Sequence, residues 1–107
     1  MTAPRPLQLI ALELNTHILT ALSRNPPHVP AWITWSRPYV SAMRHLDSIT
    51  SRYYAETGYE VVLRALEALH SWRGVDARRI KNELREHLEA CPESAKRWNF
   101  NHKEPEA

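Results

Sequence analysis

The sequence has few of the residues that build cross-links or phosphate-binding loops. Cys91 is the only cysteine among 107 residues, so an intrachain disulfide is excluded and a reducing compartment is the simpler expectation. The two glycines, Gly58 and Gly74, are too few and too far apart for a glycine-rich phosphate loop. Fourteen Lys and Arg against twelve Asp and Glu give a net charge of +2, which is too small for binding driven mainly by phosphate neutralisation.

Long apolar runs and strand patterns are also missing. No segment reaches the length of a membrane-spanning helix, and Glu13, Asn15 and His17 interrupt the leucine-rich N-terminal stretch, unlike a signal peptide. We therefore expect a cytoplasmic protein with no membrane partner. No alternating run of β-branched residues is long enough to predict a sheet.

Helical periodicity is present instead, and it predicts an all-α bundle of about four helices. The predicted helices cover about 6–23, 37–54, 58–72 and 76–90. A stiff connector at 24–30 contains three prolines, and Ala31–Trp35 is expected to form one short turn with both indoles packed on the domain. Residues 1–92 are predicted to form one compact domain, followed by a polar C-terminal tail at 93–107.

Residues with capping chemistry stand at the predicted helix ends. Thr57 and Glu60 have the S/T-x-x-E spacing, in which two side chains satisfy backbone donors at a helix N-terminus. Ser36 suits an N-cap of the second helix, and Asp76 suits an N-cap of the fourth. Gly74 suits the left-handed residue that commonly ends a helix, here the third.

The first helix has a wide apolar face. Leu12 and Leu19 lie a heptad apart on the flank of its core-facing stripe. The helix is therefore expected either at the centre of the core or, in addition, between the two subunits of a homodimer.

The last two predicted helices share some features with a helix-turn-helix. Gly74 in the turn is followed by apolar Val75, and Ile80 lies five positions further on. However, His70 occupies a position that is usually small, and Glu83 falls where an apolar contact is expected. The would-be recognition helix is also nearly neutral, because acidic residues accompany its four basic ones. An ordinary helical hairpin is favoured over a DNA-binding motif.

Three basic residues form a stripe on the fourth helix. At 100° per residue, Arg78, Lys81 and Arg85 fall within about 60° of one another. The stripe could bind phosphates or an acidic protein surface, or it could be a solvated flank stabilised by i,i+4 ion pairs. The pairs expected on that flank are Arg79–Glu83 and Arg85–Glu89.

Two aromatic residues lie among basic ones in the C-terminal tail. Trp98 and Phe100 could stack on bases or dock into a groove of a partner. Alternatively, they pack back onto the bundle as a cap.

No catalytic or metal-binding constellation is recognisable. The six histidines form no His-x-x-x-His pattern, and Cys91 has only His87 one helical turn away, which is too few ligands for zinc. No spacing fixes two carboxylates as a pair. We therefore expect no enzyme, no metal and no cofactor.

Four segments carry a resemblance to a known group of proteins: Arg37-Pro38-Tyr39-Val40, Leu46-Asp47-Ser48-Ile49, Ser71-Trp72-Arg73-Gly74 and Ala77-Arg78-Arg79-Ile80-Lys81-Asn82-Glu83-Leu84. From about Trp35 to Leu88 the chain resembles small uncharacterised helical proteins encoded by bacteriophages and prophages of Gram-negative bacteria. The resemblance implies a phage-type source, in which short non-enzymatic proteins often act by occluding a host machine. It carries no established activity, so it transfers no functional residues.

These observations predict a non-enzymatic protein that binds a host protein complex, for example an inhibitor of bacterial defence such as an anti-CRISPR protein. The alternative is a helix-turn-helix DNA-binding regulator using helices about 58–72 and 76–90, with nucleic acid as the partner. Tryptophan and arginine dominate the energetics of protein interfaces. The candidate partner-binding residues are Trp72, Arg73, Arg78, Lys81, Arg85 and Trp98.

Overall fold

Four helices account for most of the chain that the structure describes. The computed structural model describes residues 5–46, 49–50, 52–53 and 56–92. The helices are α1 (Leu7–Ser23), α2 (Ala31–Met43), α3 (Gly58–Ala68) and α4 (Val75–Ala90). The predicted all-α bundle of about four helices is confirmed. One small element was not predicted: strands β1 (Arg52–Tyr53) and β2 (Glu56–Thr57) pair antiparallel just before α3.

The first helix follows its predicted limits closely. Its i, i+3, i+4, i+7 spacing places one row of apolar side chains in the core, with no more than 1% of each exposed. That row consists of Leu7, Ile10, Ala11, Leu14 and Ile18. Leu9, Leu12 and Leu19 lie beside it and remain 49%, 48% and 54% exposed. The inner face is thus in the core, while the leucine flank is uncovered in the single chain.

The predicted limits of the second helix are wrong. α2 begins at Ala31, directly after Pro30, so the segment expected to form one short turn is the first part of this helix. Ser36 is fully buried within α2 and is not its N-cap. Pro38 lies in the helix interior, where its missing N–H leaves the carbonyl of Thr34 without its usual helical donor. The sequence favoured a start near Pro38 because proline is commonest in a first turn.

The junction between α3 and α4 also differs from the prediction. Thr57 caps α3 as expected, since its Oγ1 accepts a hydrogen bond from the Glu60 N–H at 3.3 Å. The helix ends at Ala68, not near 72, and six residues (69–74) join it to α4. Gly74 (φ 122°, ψ 178°) therefore precedes α4 instead of ending α3, in a conformation that is essentially restricted to glycine. The N-cap of α4 is Gly74, so the prediction of Asp76 as the N-cap is wrong. Asp76 lies in the first turn of the helix.

All four helices contribute to one core. α2 packs against both α1 and α3, and α4 contacts α3 and α1. The largest fully buried side chains from α2 onward are Ile33, Met43, Leu46, Val61, Val62, Leu69, Ile80 and Leu84. Within the described ranges, no helix has the length and apolar character that crossing a bilayer requires.

Candidate functional site

The predicted basic stripe of the fourth helix lines a concave pocket of about 300 Å³, called the basic pocket below. α4 contributes Ala77, Arg78, Lys81 and Arg85, and the residues that join α3 to α4 supply the rest of the wall. Among the described residues, no acidic side chain lines it. The other side chains at its wall are His70, Trp72 and Arg73.

Lys81 fixes the back of the basic pocket. Its Nζ donates hydrogen bonds to the main-chain oxygens of Trp72 at 2.6 Å and His70 at 3.3 Å. Burial lowers the pKa of Lys81, and the positive charges of Arg73 and Arg85 lower it further. The ammonium thus holds the connection 69–74 between α3 and α4, called the inter-helix turn below, against α4. The neighbouring side chains of Arg73 and Arg85 are also positively charged.

The three arginines of the basic pocket are exposed. Arg85 Nη1 donates to Asn82 Oδ1 at 2.9 Å, and the predicted pair of Arg85 with Glu89 is not among the ion pairs of the described residues. Arg73 and Arg78 likewise have no salt bridge to any residue that the structure describes. The positive charge of the pocket is therefore not balanced locally by described carboxylates.

Trp72 does not have the exposure expected of an interface residue. It is only 9% exposed and stacks on Trp32, with ring centroids 4.9 Å apart and planes inclined by 19°. The ring of His17 lies 5.4 Å away on a tilted plane. Trp72 is therefore part of the core between α1, α2 and the inter-helix turn, and little of its side chain is available for the predicted contact with a partner.

An apolar groove of about 360 Å³, the Trp35 groove, adjoins the basic pocket. Trp35 and Tyr39 of α2 face Arg64 of α3 across it, and His70 lines both the groove and the pocket. Trp35 is 67% exposed, so the expected packing of both indoles holds for Trp32 alone. The exposure of Trp35 is not predicted from the sequence, because the predicted short turn at Ala31–Trp35 does not assign its side chain to a helix face.

If a helix is assumed to start directly after Pro30, the spacing of its apolar residues predicts that Trp35 is exposed. Buried Ile33, Ser36 and Val40 then define the inner face of α2, and Trp35 falls off that face. The helix-start signal was weak, because Pro30 offers no capping side chain.

Arg79 belongs to a separate network that joins α1 and α4. It donates to both carboxylate oxygens of Glu13 and, through Nη2, to Asp76 Oδ1 at 2.9 Å. Arg5 completes the network: Nε and Nη2 donate to Glu83 at 2.8 and 2.6 Å, and Nη2 also donates to Glu13 Oε1 at 2.8 Å. The predicted Arg79–Glu83 contact is present at 3.9 Å.

Glu13 is the electrostatic centre of this network. Hydrogen bonds from Arg79, Arg5 and His17 lower its pKa from 4.5 to about 2, against the opposing effect of burial. Hydrogen bonds to Glu83 and Glu13 raise the pKa of Arg5 above its usual range, and hydrogen bonds to Glu13 and Asp76 do the same for Arg79. Glu13 is consequently ionised throughout the neutral and mildly acidic range.

Three possible metal ligands also meet in this network. Donor atoms of Glu13, His17 and Asp76 all lie within 4.8 Å of one another. Both oxygens of Glu13 already accept hydrogen bonds from arginine, and Asp76 accepts one from Arg79. A cation would have to compete with these guanidinium charges, so the geometry favours a structural ion-pair network.

The remaining predicted interface residue, Trp98, lies outside the described residues, as does the rest of the predicted tail from 93 onward. No protein-family model, curated protein sequence or solved structure matches the chain.

Proposed function

We propose that this chain is a non-enzymatic binding protein that docks on a macromolecular complex of a bacterial host. A phage-type inhibitor of defence, such as an anti-CRISPR protein, is one concrete form of this proposal. The observation that carries it is the adjacency of the basic pocket and the Trp35 groove on one surface, with His70 common to both.

This surface has the composition of an interface anchor. Exposed tryptophan and arginine supply most of the energy at protein interfaces, where a concave site excludes water around them. Trp35 offers a largely exposed indole, and Arg78 and Arg85 offer exposed guanidinium groups. The core holds these groups in place, since Trp72 and Lys81 tie the inter-helix turn to the rest of the bundle.

The charge of the surface indicates the chemistry of the partner. Acidic groups of the partner would contact several cationic side chains in the basic pocket, and an apolar side chain of the partner would enter the Trp35 groove. Such complementarity mainly accelerates association and sets specificity, and it weakens as salt increases.

The electrostatics of Glu13 argue against its use as a general base. A general base works best with a pKa near the operating pH. The pKa of Glu13, about 2, lies far below that range, and its oxygens already accept hydrogen bonds from two arginines.

Affinity capture from the bacterial host tests the proposal. The triple variant Trp35→Ala/Arg78→Ala/Arg85→Ala should lose the host protein that the wild-type chain retains. The double variant Arg24→Ala/Arg37→Ala changes exposed arginines outside the surface and should retain it. Far-UV circular dichroism should show the same helical signal for all three proteins. Recovery of the same host proteins with the triple variant would contradict the proposal.

The alternative is a DNA-binding regulator that uses α3 and α4. The unbalanced positive charge of the basic pocket favours it, because phosphates bind such charge. The six-residue connection at 69–74 is longer than the three or four residues usual in a helix-turn-helix. Duplex binding that weakens steeply with salt would support this alternative, whereas no binding at low salt would exclude it.

A further inference from the structure

We propose that the basic pocket is a binding site for a phosphate dianion, either free or as a phosphate monoester. Arg73, Arg78 and Arg85 would hold the oxygens, with Lys81 behind them. The proposal goes beyond the docking function above, because it requires no macromolecular partner and can be tested on the isolated chain.

The first argument is electrostatic. Three guanidinium groups and one ammonium converge on one concavity, and no described carboxylate lines it. Concentrating like charges in a partly desolvated space is unfavourable. Burial is the main cause of the lowered pKa of Lys81, and the charges of Arg73 and Arg85 add to it. A bound dianion would relieve the repulsion and make the ammonium form more favourable.

The second argument is the supply of hydrogen-bond donors. Lys81 Nζ uses two of its three protons on the oxygens of Trp72 and His70, which leaves one for a ligand. Arginine presents a planar fork of donors that matches phosphate oxygens bidentately. Arg78 and Arg85 come from α4 and Arg73 from the connection that precedes it, so two separate chain segments supply donors to one pocket.

These donors favour phosphate over a carboxylate. A carboxylate has a single charge and two oxygens, which one arginine fork can satisfy. A phosphate monoester carries almost two negative charges and three strong acceptor oxygens at neutral pH, so several cations can bind it together. A pocket of about 300 Å³ has room for such a group.

The test is a titration followed by the side-chain carbon-13 Cζ NMR signals of the arginines, which do not depend on exchangeable protons, at constant ionic strength and mildly alkaline pH. The probes are inorganic phosphate, adenosine monophosphate and acetate. We expect both phosphates to shift the signals of Arg73, Arg78 and Arg85 saturably, and acetate to bind much more weakly. Tighter binding of inorganic phosphate would indicate a free ion as the ligand, and tighter binding of the nucleotide would indicate an esterified phosphate.

Two double variants distinguish phosphate binding at the pocket from a general effect of the net charge of the protein. Arg78→Gln/Arg85→Gln should weaken phosphate binding by about tenfold for each charge-assisted contact removed. Arg24→Gln/Arg37→Gln removes the same net charge from exposed positions outside the pocket and should leave the affinity nearly unchanged.

Three results would overturn the proposal. One is the absence of saturable phosphate-dependent shifts at the pocket arginines of the wild-type chain, a readout that does not depend on any variant folding. Another is equal weakening by both double variants, which would reduce the effect to net charge. The last is acetate binding as tight as phosphate binding.

Discussion

Replacing Glu13 by Gln removes the negative charge at the centre of the network that joins α1 to α4. The side chain keeps its shape, so the loss is mainly electrostatic. In the folded chain, contacts with Arg79 and Arg5 lower the pKa of Glu13 from 4.5 to about 2. At 1.36 kcal/mol for each pKa unit, this lowering corresponds to at most about 3 kcal/mol.

Solvent reduces that value. The side chains of Arg5 and Arg79 are 37% and 43% exposed, so water and salt screen their attraction to Glu13. We therefore expect Glu13→Gln to lower the free energy of unfolding by about 1–2 kcal/mol at neutral pH.

The pH dependence of this effect has a definite sign. Because the pKa of Glu13 is lower in the folded state, its contribution to stability is present above the unfolded value near 4.5. The contribution is lost as the pH falls from about 4.5 towards about 2, where the carboxylate takes up a proton in the folded state as well. The difference between wild type and Glu13→Gln should therefore shrink over this window.

Urea unfolding followed by circular dichroism, repeated at several pH values, measures both effects. Glu86→Gln is the matched control, because Glu86 is exposed and has no ion pair to a described residue. The reasoning is refuted if the two variants are equally stable at neutral pH. It is also refuted if the deficit of Glu13→Gln stays constant as the pH falls below 4.5.

Three further predictions concern single features of the fold. Trp72→Ala should lower the free energy of unfolding by about 3–5 kcal/mol, since it leaves a cavity in the core. Trp35→Ala should change it by less than about 0.5 kcal/mol, because Trp35 is largely exposed. Equal effects of the two variants in thermal unfolding would contradict this difference. Gly74→Ala should lower the free energy of unfolding by about 1–3 kcal/mol in urea, because its φ of 122° is strained for alanine. A steric clash is not the cause, since beyond the neighbouring residues no atom lies within 4 Å of the added Cβ. An unchanged unfolding midpoint would argue against the strain. The exposed leucine flank of α1 predicts a homodimer. Leu12→Lys/Leu19→Lys should therefore lower the molar mass measured by light scattering. A wild-type chain that stays monomeric at all concentrations would exclude the dimer.

Features with a short-range cause could be predicted from the sequence. The periodic apolar residues of α1 placed its inner face correctly, and Thr57 was identified as a cap from its spacing to Glu60. The basic stripe also follows from spacing along one helix, because residues at i, i+3 and i+7 share a face. The residues of the α3–α4 connection that complete the basic pocket could not be predicted from helical spacing.

The limits of α2, the exposure of Trp35 and the burial of Trp72 depend on tertiary structure. Pro38 is compatible with a first turn, but burial of Ile33 and Val40 stabilises a helix that begins earlier. That start turns Trp35 outward, while stacking on Trp32 draws Trp72 inward. Neither outcome follows from local propensity, since both depend on contacts between separate elements.

The sequence alone thus determined which segments are amphipathic and which helix carries the basic stripe, because these properties depend on residues within a turn or two of each other. Only the tertiary structure brought Glu13 to Arg79 and Arg5 to Glu83, which are 66 and 78 positions apart. It likewise closed the basic pocket by folding the inter-helix turn against α4 through Lys81. Ion pairs and concave sites of this kind require chain segments to meet in space, and no sequence spacing specifies such a meeting.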